Sequence, residues 1–343
     1  MGEIIKFIKT GMMFFLIIII FILIINTIYI KFIIDKKQVY RQEISYQEYI
    51  KNLTHKKIQY AFFGDSHTHD GINPRYINNS FNFATSGETY AQTYYKLKRV
   101  LEKDNIKINN IFLQIDLHSL SVSQEGLINN VYLYSKFMSF NEIRNLYQGS
   151  LIGLLTGLYF PFIGNGEQFF FLITKPQLKE IYKGWVKQEQ DFSLVIDRET
   201  DSKKTYNLFF KRKRIDNTSF EYFKKTLFLA KENNINIILI KYPISKDFDD
   251  VIREENTDKK NYYTTLFKEV NLKLNDNYQF LDYYDFFFNH TNYFSDPDHL
   301  NYVGADILSK QVLNDINKLN LTISEENNET MVILINSNKG KKS

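Results

Sequence analysis

The sequence predicts an α/β fold in which helices cover both faces of a parallel sheet, and it places one transmembrane helix before that fold. Strand-like and helix-like segments alternate along the chain. Each strand-like segment is also a nearly continuous apolar run, which is typical of strands buried on both faces. A long apolar run near the N-terminus predicts the membrane helix.

This N-terminal run is MMFFLIIIIFILIINTIYI, residues 12–30, in which only Asn26 and Thr27 are polar. At about 1.5 Å per residue it reaches roughly 28 Å, close to the thickness of a bilayer's hydrocarbon core. A secretory signal has a shorter apolar core and a small-residue cleavage site, and the run has neither. We therefore expect a single-pass anchor within residues 1–34 and a stalk at 35–57, with a buried core helix as the alternative.

The charges around the run leave its orientation open. The flanking basic residues are Lys6 and Lys9 before it, and Lys31, Lys36, Lys37 and Arg41 after it. By the positive-inside rule this count would leave the large domain in the cytoplasm. An N-terminal anchor nevertheless often exports a long following domain, whatever the local charge.

The alternation of strands and helices runs through residues 58–320, which we predict to be one α/β domain. The predicted strands are 58–64, 81–84, 109–116, 235–243 and 278–285, and the predicted helices are 89–105, 219–234, 264–276 and 301–319. Residues from about 120 to 215 break the alternation and predict an inserted, mainly helical cap that shapes a binding cleft. For one segment of this insertion, LIGLLTGLYFPFI, the alternative to the cap is a role at the membrane surface. The tail, 321–343, is polar except for MVILI at 331–335, a candidate edge strand.

Composition narrows the classes of function. The chain has 343 residues, of which 44% are apolar and 24% charged, as in globular proteins. Its net charge of +4 is too small to favour a nucleic-acid partner. Cysteine is absent, which excludes disulfides, thiolate metal sites and a cysteine nucleophile.

A polar segment, GDSHTHD, directly follows the first predicted strand. Ligands of open parallel sheets bind beyond the carboxyl ends of strands, so Ser66 occupies a position expected for a nucleophile. Gly64 permits a sharp turn. If a helical turn follows, the backbone N–H of Ser66 can also stabilise an oxyanion. The alternative is that Asp65 and Ser66 only cap a helix.

A serine hydroxyl needs a base, and the chain has six histidines. His67 and His69 are too close in sequence to Ser66 to reach back onto it easily. The better candidate is His299, in FSDPDHLNYVGA at 294–305, after the last predicted strand.

Two carboxylates could orient His299. Asp296 lies three residues before it, a spacing at which a turn can bring carboxylate and imidazole into hydrogen-bonding contact and fix the tautomer. Asp298 competes, but an adjacent side chain rarely folds back onto the ring, so we favour Asp296. Taken alone, SDPDH is also a common helix cap.

Together, Gly64-Asp65-Ser66 and Asp296-Pro297-Asp298-His299 resemble the first and last blocks of the SGNH/GDSL hydrolase superfamily. The resemblance covers about residues 58–118 and 220–320. It implies a three-layer αβα, flavodoxin-like fold.

The resemblance also implies roles for individual residues. Ser66 would be the nucleophile, His299 the base and Asp296 the acid of a triad. The second block of the family supplies a glycine whose N–H helps bind the oxyanion, and Gly87 in NFATSGETY matches it. Ser66 and Gly87 would therefore share the oxyanion.

The third block of the family, Gly-x-Asn-Asp, is missing. LQIDLHSL stands there, with Asp116 in place of a neutral donor. An ionised Asp would repel an oxyanion, and the loss of one such donor costs about 3–4 kcal/mol in acyl transfer. The candidate substitute donors are Asn73, Asn82 and His118. Membrane-anchored DltD-like and alginate-acetylation proteins are similar in lacking the full block, which favours an extracytoplasmic domain.

A metal site is the alternative for HTH at 67–69, with Asp65, Asp70 and His118 as further ligands. No diagnostic ligand spacing is present, so we expect no metal. The sequence also has no phosphate-cradling glycine loop and no dinucleotide fingerprint, so we expect no cofactor.

The resemblance implies a membrane-anchored serine esterase or O-acyltransferase that acts on a cell-surface polysaccharide or related glycan. A membrane acyltransferase would be a partner in a transfer pathway. The alternative, from another class, is a non-catalytic assembly or glycan-binding protein that keeps the fold with a weakened site.

Overall fold

A computed structural model of the chain describes residues 2–34, 57–102, 106–120, 131–164, 180–210, 216–255 and 278–319. The strands are β1 (Lys57–Phe63), β2 (Ser80–Asn82), β3 (Lys107–Gln114), β4 (Ile181–Tyr182), β5 (Trp185–Val186), β6 (Asn236–Lys241) and β7 (Gln279–Asp282). The α-helices are α1 (Gly2–Ile28), α2 (Ser66–Gly71), α3 (Tyr90–Glu102), α4 (Leu117–Leu120), α5 (Val131–Tyr134), α6 (Phe140–Leu146), α7 (Leu151–Tyr159), α8 (Pro161–Gly164), α9 (Arg198–Thr205), α10 (Asn217–Glu232), α11 (Lys246–Glu255) and α12 (Tyr302–Lys318).

Five strands form one parallel sheet in the order β2-β1-β3-β6-β7. Numbered along the chain, this is the 2-1-3-4-5 order of flavodoxin-like folds, so the predicted fold class is confirmed. In such a sheet all carboxyl ends share one edge, which brings segments distant in sequence together. Ser66 follows β1 at this edge.

Side chains alternate between the two faces of the sheet, and helices cover both faces. On β1, Ala61 and Phe63 belong to the core under α3 and α10, whereas Tyr60 and Phe62 belong to the core under α12. Because both faces are covered, the central positions of the strands, such as 60–63, 111–113 and 237–240, are apolar whichever face they point to. This explains why short apolar runs identified the strands.

The predicted elements agree with the structure to within a few residues where the structure describes them. Within the insertion, helices α5 to α9 are accompanied by an antiparallel hairpin of β4 and β5 that was not predicted. Helix α11 was not predicted either. The predicted helix at 264–276, the candidate strand at 331–335 and nearly all of the stalk lie outside the described residues.

The β4–β5 hairpin lies against the outer edge of β2. The backbone N–H of Asn82 donates to the carbonyl of Lys183 at 3.0 Å. Gly184 has a φ of +89°, and a Cβ there would overlap the carbonyl oxygen of Asn82. Trp185 is buried and donates its indole N–H to the carbonyl of Asp70 at 2.9 Å, so the hairpin also contacts α2.

Helix α1 lies in a stretch, Gly2–Lys31, that is long and apolar enough to cross a membrane, and 18 consecutive residues of it have a mean hydropathy of 2.9. Most of the apolar side chains of α1 are exposed all round the helix. Near its C-terminal end, Asn26 and Tyr29 are buried instead, against the cap helices. Helix α1 and the cap therefore share an interface.

Candidate active site

Ser66 begins α2, the short helix that follows β1. The side chain of Asp65 caps this helix and accepts a hydrogen bond from the backbone N–H of His67 at 3.0 Å. Gly64 makes the approach to β3 possible, because a Cβ there would overlap the side chains of Thr68 and Gln114. Asp65 therefore caps the helix, as one interpretation of the segment predicts, and Ser66 lies at the carboxyl edge of the sheet.

The loop after β7 brings His299 back across the carboxyl edge to Ser66. His299 Nε2 lies 2.7 Å from Ser66 Oγ, across 233 residues of sequence. The other ring nitrogen, Nδ1, lies 2.9 Å from Asp296 Oδ1. Serine, histidine and aspartate thus form one hydrogen-bonded chain.

A turn fixes the position of His299. One carboxylate oxygen of Asp296, Oδ1, accepts from the backbone N–H groups of Asp298 at 3.1 Å and of His299 at 2.8 Å. The carbonyl of Pro297 accepts from the N–H of Ser245, at 3.0 Å, in the loop after β6. The turn is therefore fixed both within itself and to the sheet edge.

Asp298 also approaches the ring, contrary to the expectation that an adjacent residue would not. Its Oδ1 lies 3.2 Å from His299 Nδ1, slightly farther than the oxygens of Asp296. The two carboxylates differ in exposure, because the side chain of Asp298 is 5% exposed and that of Asp296 is 45% exposed. His299 therefore has one solvated and one buried carboxylate beside the same nitrogen.

These carboxylates control the charge of His299. Burial alone would lower the pKa of His299, but the negative charges of Asp298 and Asp296 outweigh burial and raise that pKa well above its ordinary value. The imidazolium form is consequently stabilised. A base has to be neutral before it accepts a proton, so reaction at this site should be favoured by alkaline pH.

His67 lies directly behind His299, a position that the sequence analysis did not foresee. The two rings stack with centroids 4.6 Å apart. His67 Nδ1 lies 3.0 Å from Asp65 Oδ1, and Nε2 lies 3.4 Å from Asp298 Oδ2. Burial lowers the pKa of His67, but its contacts with Asp298 and Asp65 raise it to about 10, so this histidine is a cation at neutral pH.

Asp65 is the centre of a second group of polar contacts. Its Oδ2 accepts from Ser119 Oγ at 2.9 Å and lies 2.7 Å from His118 Nε2. Its Oδ1 accepts from Gln114 Nε2 at 2.8 Å. Burial alone would raise the pKa of Asp65, but the charges of His118 and His67 hold it well below its ordinary value.

Two overlapping groups of side chains come close enough to hold a metal ion. The first group is Asp65, His67 and His118. The second group is His67, Asp298 and His299. Hydrogen bonds and ion pairs account for both oxygens of Asp65 and both ring nitrogens of His67. The other two candidate ligands from the sequence, His69 and Asp70, pair with each other and belong to neither group.

The three candidate substitute donors are already engaged in other contacts. The amide of Asn73 donates to Asp306 Oδ1 at 2.7 Å. The amide of Asn82 donates to the carbonyl of Thr68 at 2.8 Å. His118 Nε2 pairs with Asp65, as described above. These side chains support α2 and its surroundings in the conformation observed.

Gly87 lies in the turn between β2 and α3 and has a φ of +69°, a conformation that favours glycine. Asp116 is buried and accepts from Gln114 Nε2 at 2.9 Å. Burial raises the pKa of Asp116.

A buried ion pair supports the turn that carries Gly87. Lys96 on α3 pairs with Glu88, and the ammonium also donates to the carbonyl of Phe83 at 2.7 Å. Glu88 accepts further hydrogen bonds from Thr93 at 2.7 Å and from Tyr134 of the cap at 2.8 Å. The turn is thereby joined to α3 and to α5.

Sequence reasoning missed Gln114 and the Lys96–Glu88 pair as parts of this region, and it did not foresee the contact of His67 with Asp298. Gln114 had a visible signal, because it interrupts the apolar run of residues 111–115 immediately before the polar edge. Lys96 had none, since a lysine on an amphipathic helix is normally solvent-exposed.

Comparison with known proteins gives limited matches. A family model described as "Protein of unknown function (DUF1574)" matches residues 185–303, about a third of the chain. No curated protein matches. Among solved structures, the chain is similar to a candidate acylhydrolase from Bacteroides fragilis NCTC 9343, with 12% identity and a TM-score of 0.39 over 84% of this chain and 99% of that one. It is also similar to a GDSL-like lipase from Bacteroides thetaiotaomicron VPI-5482, with 13% identity and a TM-score of 0.38 over 82% and 98%.

Proposed function

We propose that the protein is a membrane-anchored serine esterase or O-acyltransferase that uses Ser66, His299 and Asp296. The observation that carries the proposal is the 2.7 Å separation of Ser66 Oγ and His299 Nε2, with Asp296 against the opposite ring nitrogen. This is the arrangement that lets an imidazole remove the hydroxyl proton during attack. The two side chains that react, Ser66 and His299, are partly exposed and so accessible to a substrate.

In the proposed reaction, Ser66 Oγ attacks the carbonyl carbon of an ester while its proton passes to His299 Nε2. Asp296 stabilises the imidazolium that forms. The backbone N–H groups of Ser66 and Gly87 are the proposed donors to the oxyanion. His299 then returns the proton to the departing alcohol, which leaves an acyl ester on Ser66.

The acyl group of that ester passes to water in an esterase or to a sugar hydroxyl in a transferase. In both cases His299 removes the proton of the acceptor, and Ser66 is regenerated. We propose a cell-surface polysaccharide or related glycan as substrate, an extracytoplasmic domain and, for transfer, a membrane acyltransferase that supplies the acyl group. The resemblance of the first and last sequence blocks to the SGNH/GDSL superfamily supports the chemistry.

A fluorophosphonate probe tests the proposal on the full chain in lipid nanodiscs. We expect stoichiometric labelling of the wild type and none of Ser66→Ala, because the probe phosphonylates a serine activated by a base. His299→Ala should also abolish labelling. Ser193→Ala is the matched control and should label like the wild type, since the hydroxyl of Ser193 donates to Asp191 and not to a histidine. Labelling that survives in Ser66→Ala would refute the assigned nucleophile.

A second candidate function is a non-catalytic glycan-binding or assembly protein. It is favoured by one observation: the amides of Asn73 and Asn82 are engaged elsewhere, and a carboxylate replaces the neutral donor at Asp116. Wild-type protein that resists the probe and leaves p-nitrophenyl acetate intact, yet binds glycan, would select this alternative.

A further inference from the structure

The helices α7 and α8 present an apolar surface to solvent. Its members are exposed to between 37% and 76%, and they are Leu151, Ile152, Leu155, Tyr159 and Ile163. We call this set the α7–α8 face. An exposed patch of this kind marks a surface that contacts lipid or another protein.

The opposite side of α7 already has a partner within the domain. Leu154 and Leu158 are buried with Tyr134, Ile143 and Leu146 in the core of the cap. Helix α7 is therefore apolar on both sides, and the described residues cover only one of them. The surrounding sequence, 145–166, contains no charged residue.

The face is continuous with the end of α1. The side-chain amide of Asn26 donates to the backbone carbonyl of Tyr159 at 2.9 Å. The ring of Tyr29 meets that of Phe162 edge-on at 5.6 Å. Helix α7 thus ends against the last turn of the apolar helix, close to the level at which α1 would leave a bilayer.

These contacts suit a lipid environment. The last carbonyls of a helix have no partner within it, and such groups are costly in hydrocarbon unless they are paired. The side-chain N–H of Asn26 supplies a partner for the carbonyl of Tyr159, whereas Asn26 Oδ1 is buried without a hydrogen-bond partner within the part of the chain that the structure describes. The hydroxyl of Thr156 on α7 donates to the carbonyl of Ile152 at 2.9 Å, so it also has an internal partner.

We propose that the α7–α8 face lies in the interfacial region of the bilayer that α1 crosses, so that the catalytic domain rests on the lipid surface. The proposal rests on anchoring by α1 and does not depend on the serine chemistry. Tyr159 fits this position, because tyrosine is enriched where a bilayer meets water. The anchor then fixes both the height and the orientation of the domain.

Depth-dependent fluorescence quenching tests the inference, and the absence of native cysteine makes labelling specific. The full chain, as Ile152→Cys or Ile163→Cys, is labelled with an environment-sensitive dye and reconstituted in phosphatidylcholine and phosphatidylglycerol vesicles. We expect a blue-shifted emission and loss of most of it with phospholipid that carries a doxyl quencher near the headgroup.

Two further cysteine variants distinguish failure of the surface proposal from failure of membrane anchoring. Ile196→Cys is the control, because Ile196 is fully exposed and follows Val195, which packs on the opposite face of the sheet from the cap. Its label should keep its emission. Ile17→Cys, in the middle of α1, should be quenched by a doxyl group deep in the acyl chain, and this variant reports anchoring alone.

Quenching at Ile17→Cys with none at Ile152→Cys would overturn the proposal while leaving the anchor in place. A blue-shifted but unquenched label at Ile152→Cys would mean that protein covers the face, and intermolecular disulfides formed by the unlabelled Ile152→Cys variant would then identify a second copy. A label at Ile17→Cys that is not quenched by the deep doxyl group would overturn both the anchor and the surface inference. None of these outcomes affects the probe labelling of Ser66.

Discussion

The carboxyl edge of the sheet and the cap beside α1 are stabilised by different kinds of interaction. At the sheet edge, alternating carboxylates and imidazoles pair through Asp65, His67, Asp298 and His299. In the cap, order comes from apolar burial around Tyr134, and one apolar side is left uncovered. The first region depends on charge balance, so single neutral substitutions should change its chemistry. The second depends on buried apolar area.

The largest effect should come from the carboxylate that orients His299. We expect Asp296→Asn to lower kcat by roughly 10⁴-fold, the loss seen when the orienting carboxylate of a comparable triad is replaced. Ester hydrolysis in nanodiscs measures it. Asp298→Asn is the comparison and should lose less, because Asp298 lies slightly farther from Nδ1. An equal or larger loss in Asp298→Asn would transfer the orienting role to Asp298.

The charges of Asp296 and Asp298 should also set the pH dependence of the reaction. The acid limb of kcat/KM against pH reports the pKa of His299 in the free enzyme. In the wild type it should lie above about 6.5, the ordinary value, because Asp298 and Asp296 raise that pKa. Asp298→Asn removes one negative charge, so the pKa falls and the limb should move to lower pH. A limb that does not move would contradict electrostatic control by Asp298.

The ion pair between Lys96 and Glu88 should have the next largest effect, on stability. Glu88→Gln leaves a buried ammonium without its charge partner, which typically costs about 3–5 kcal/mol. A lower thermal unfolding temperature in detergent measures the change. The double variant Lys96→Met with Glu88→Met should recover much of the loss. Asp250→Asn, which breaks an exposed pair with Lys246, is the control and should change little.

His67 should act through the position and charge of its neighbours. His67→Gln leaves Asp65 and Asp298 without the cation between them, and a displaced His299 could lose on the order of 10²-fold in rate. Because a positive charge beside His299 disappears, the pKa of His299 rises and the acid limb should move to higher pH, opposite to Asp298→Asn. His69→Gln is the control, since His69 pairs with Asp70. A rate loss without a shift of the limb would indicate only a structural role for His67.

The smallest effect should come from removing metal ions. We expect unchanged ester hydrolysis after dialysis against a chelator, because hydrogen bonds already account for the oxygens of Asp65. Loss of activity that Zn²⁺ restores would revive the metal-site alternative for Asp65, His67 and His118.

The sheet was predictable because its strands are buried on both faces. Segments such as 58–64 and 235–243 are apolar runs that no surface helix would carry. The hairpin of β4 and β5 was not predictable in the same way, since two-residue strands have no periodicity. Helix α11 did carry a signal, because Phe248, Val251 and Ile252 follow helical spacing and are buried.

Contacts within the candidate site were predictable from spacing only where both residues belong to one short motif. Asp296 and His299 meet within one turn, so their contact follows from spacing. The proximity of Ser66 to His299 depended on the common edge of the sheet. The place of His67 depends on where the loop after β7 lies, more than 200 residues away, and spacing along the chain says nothing about that contact.

The β4–β5 hairpin has a consequence for solubility. Lys183 already accepts the outward N–H of Asn82, and Gly184 lies directly against the neighbouring carbonyl, so a strand from another molecule has no room to pair with β2 at this point. Exposed strand edges promote aggregation between copies. This small hairpin therefore shields the outer border of the sheet from pairing with a second copy of the chain.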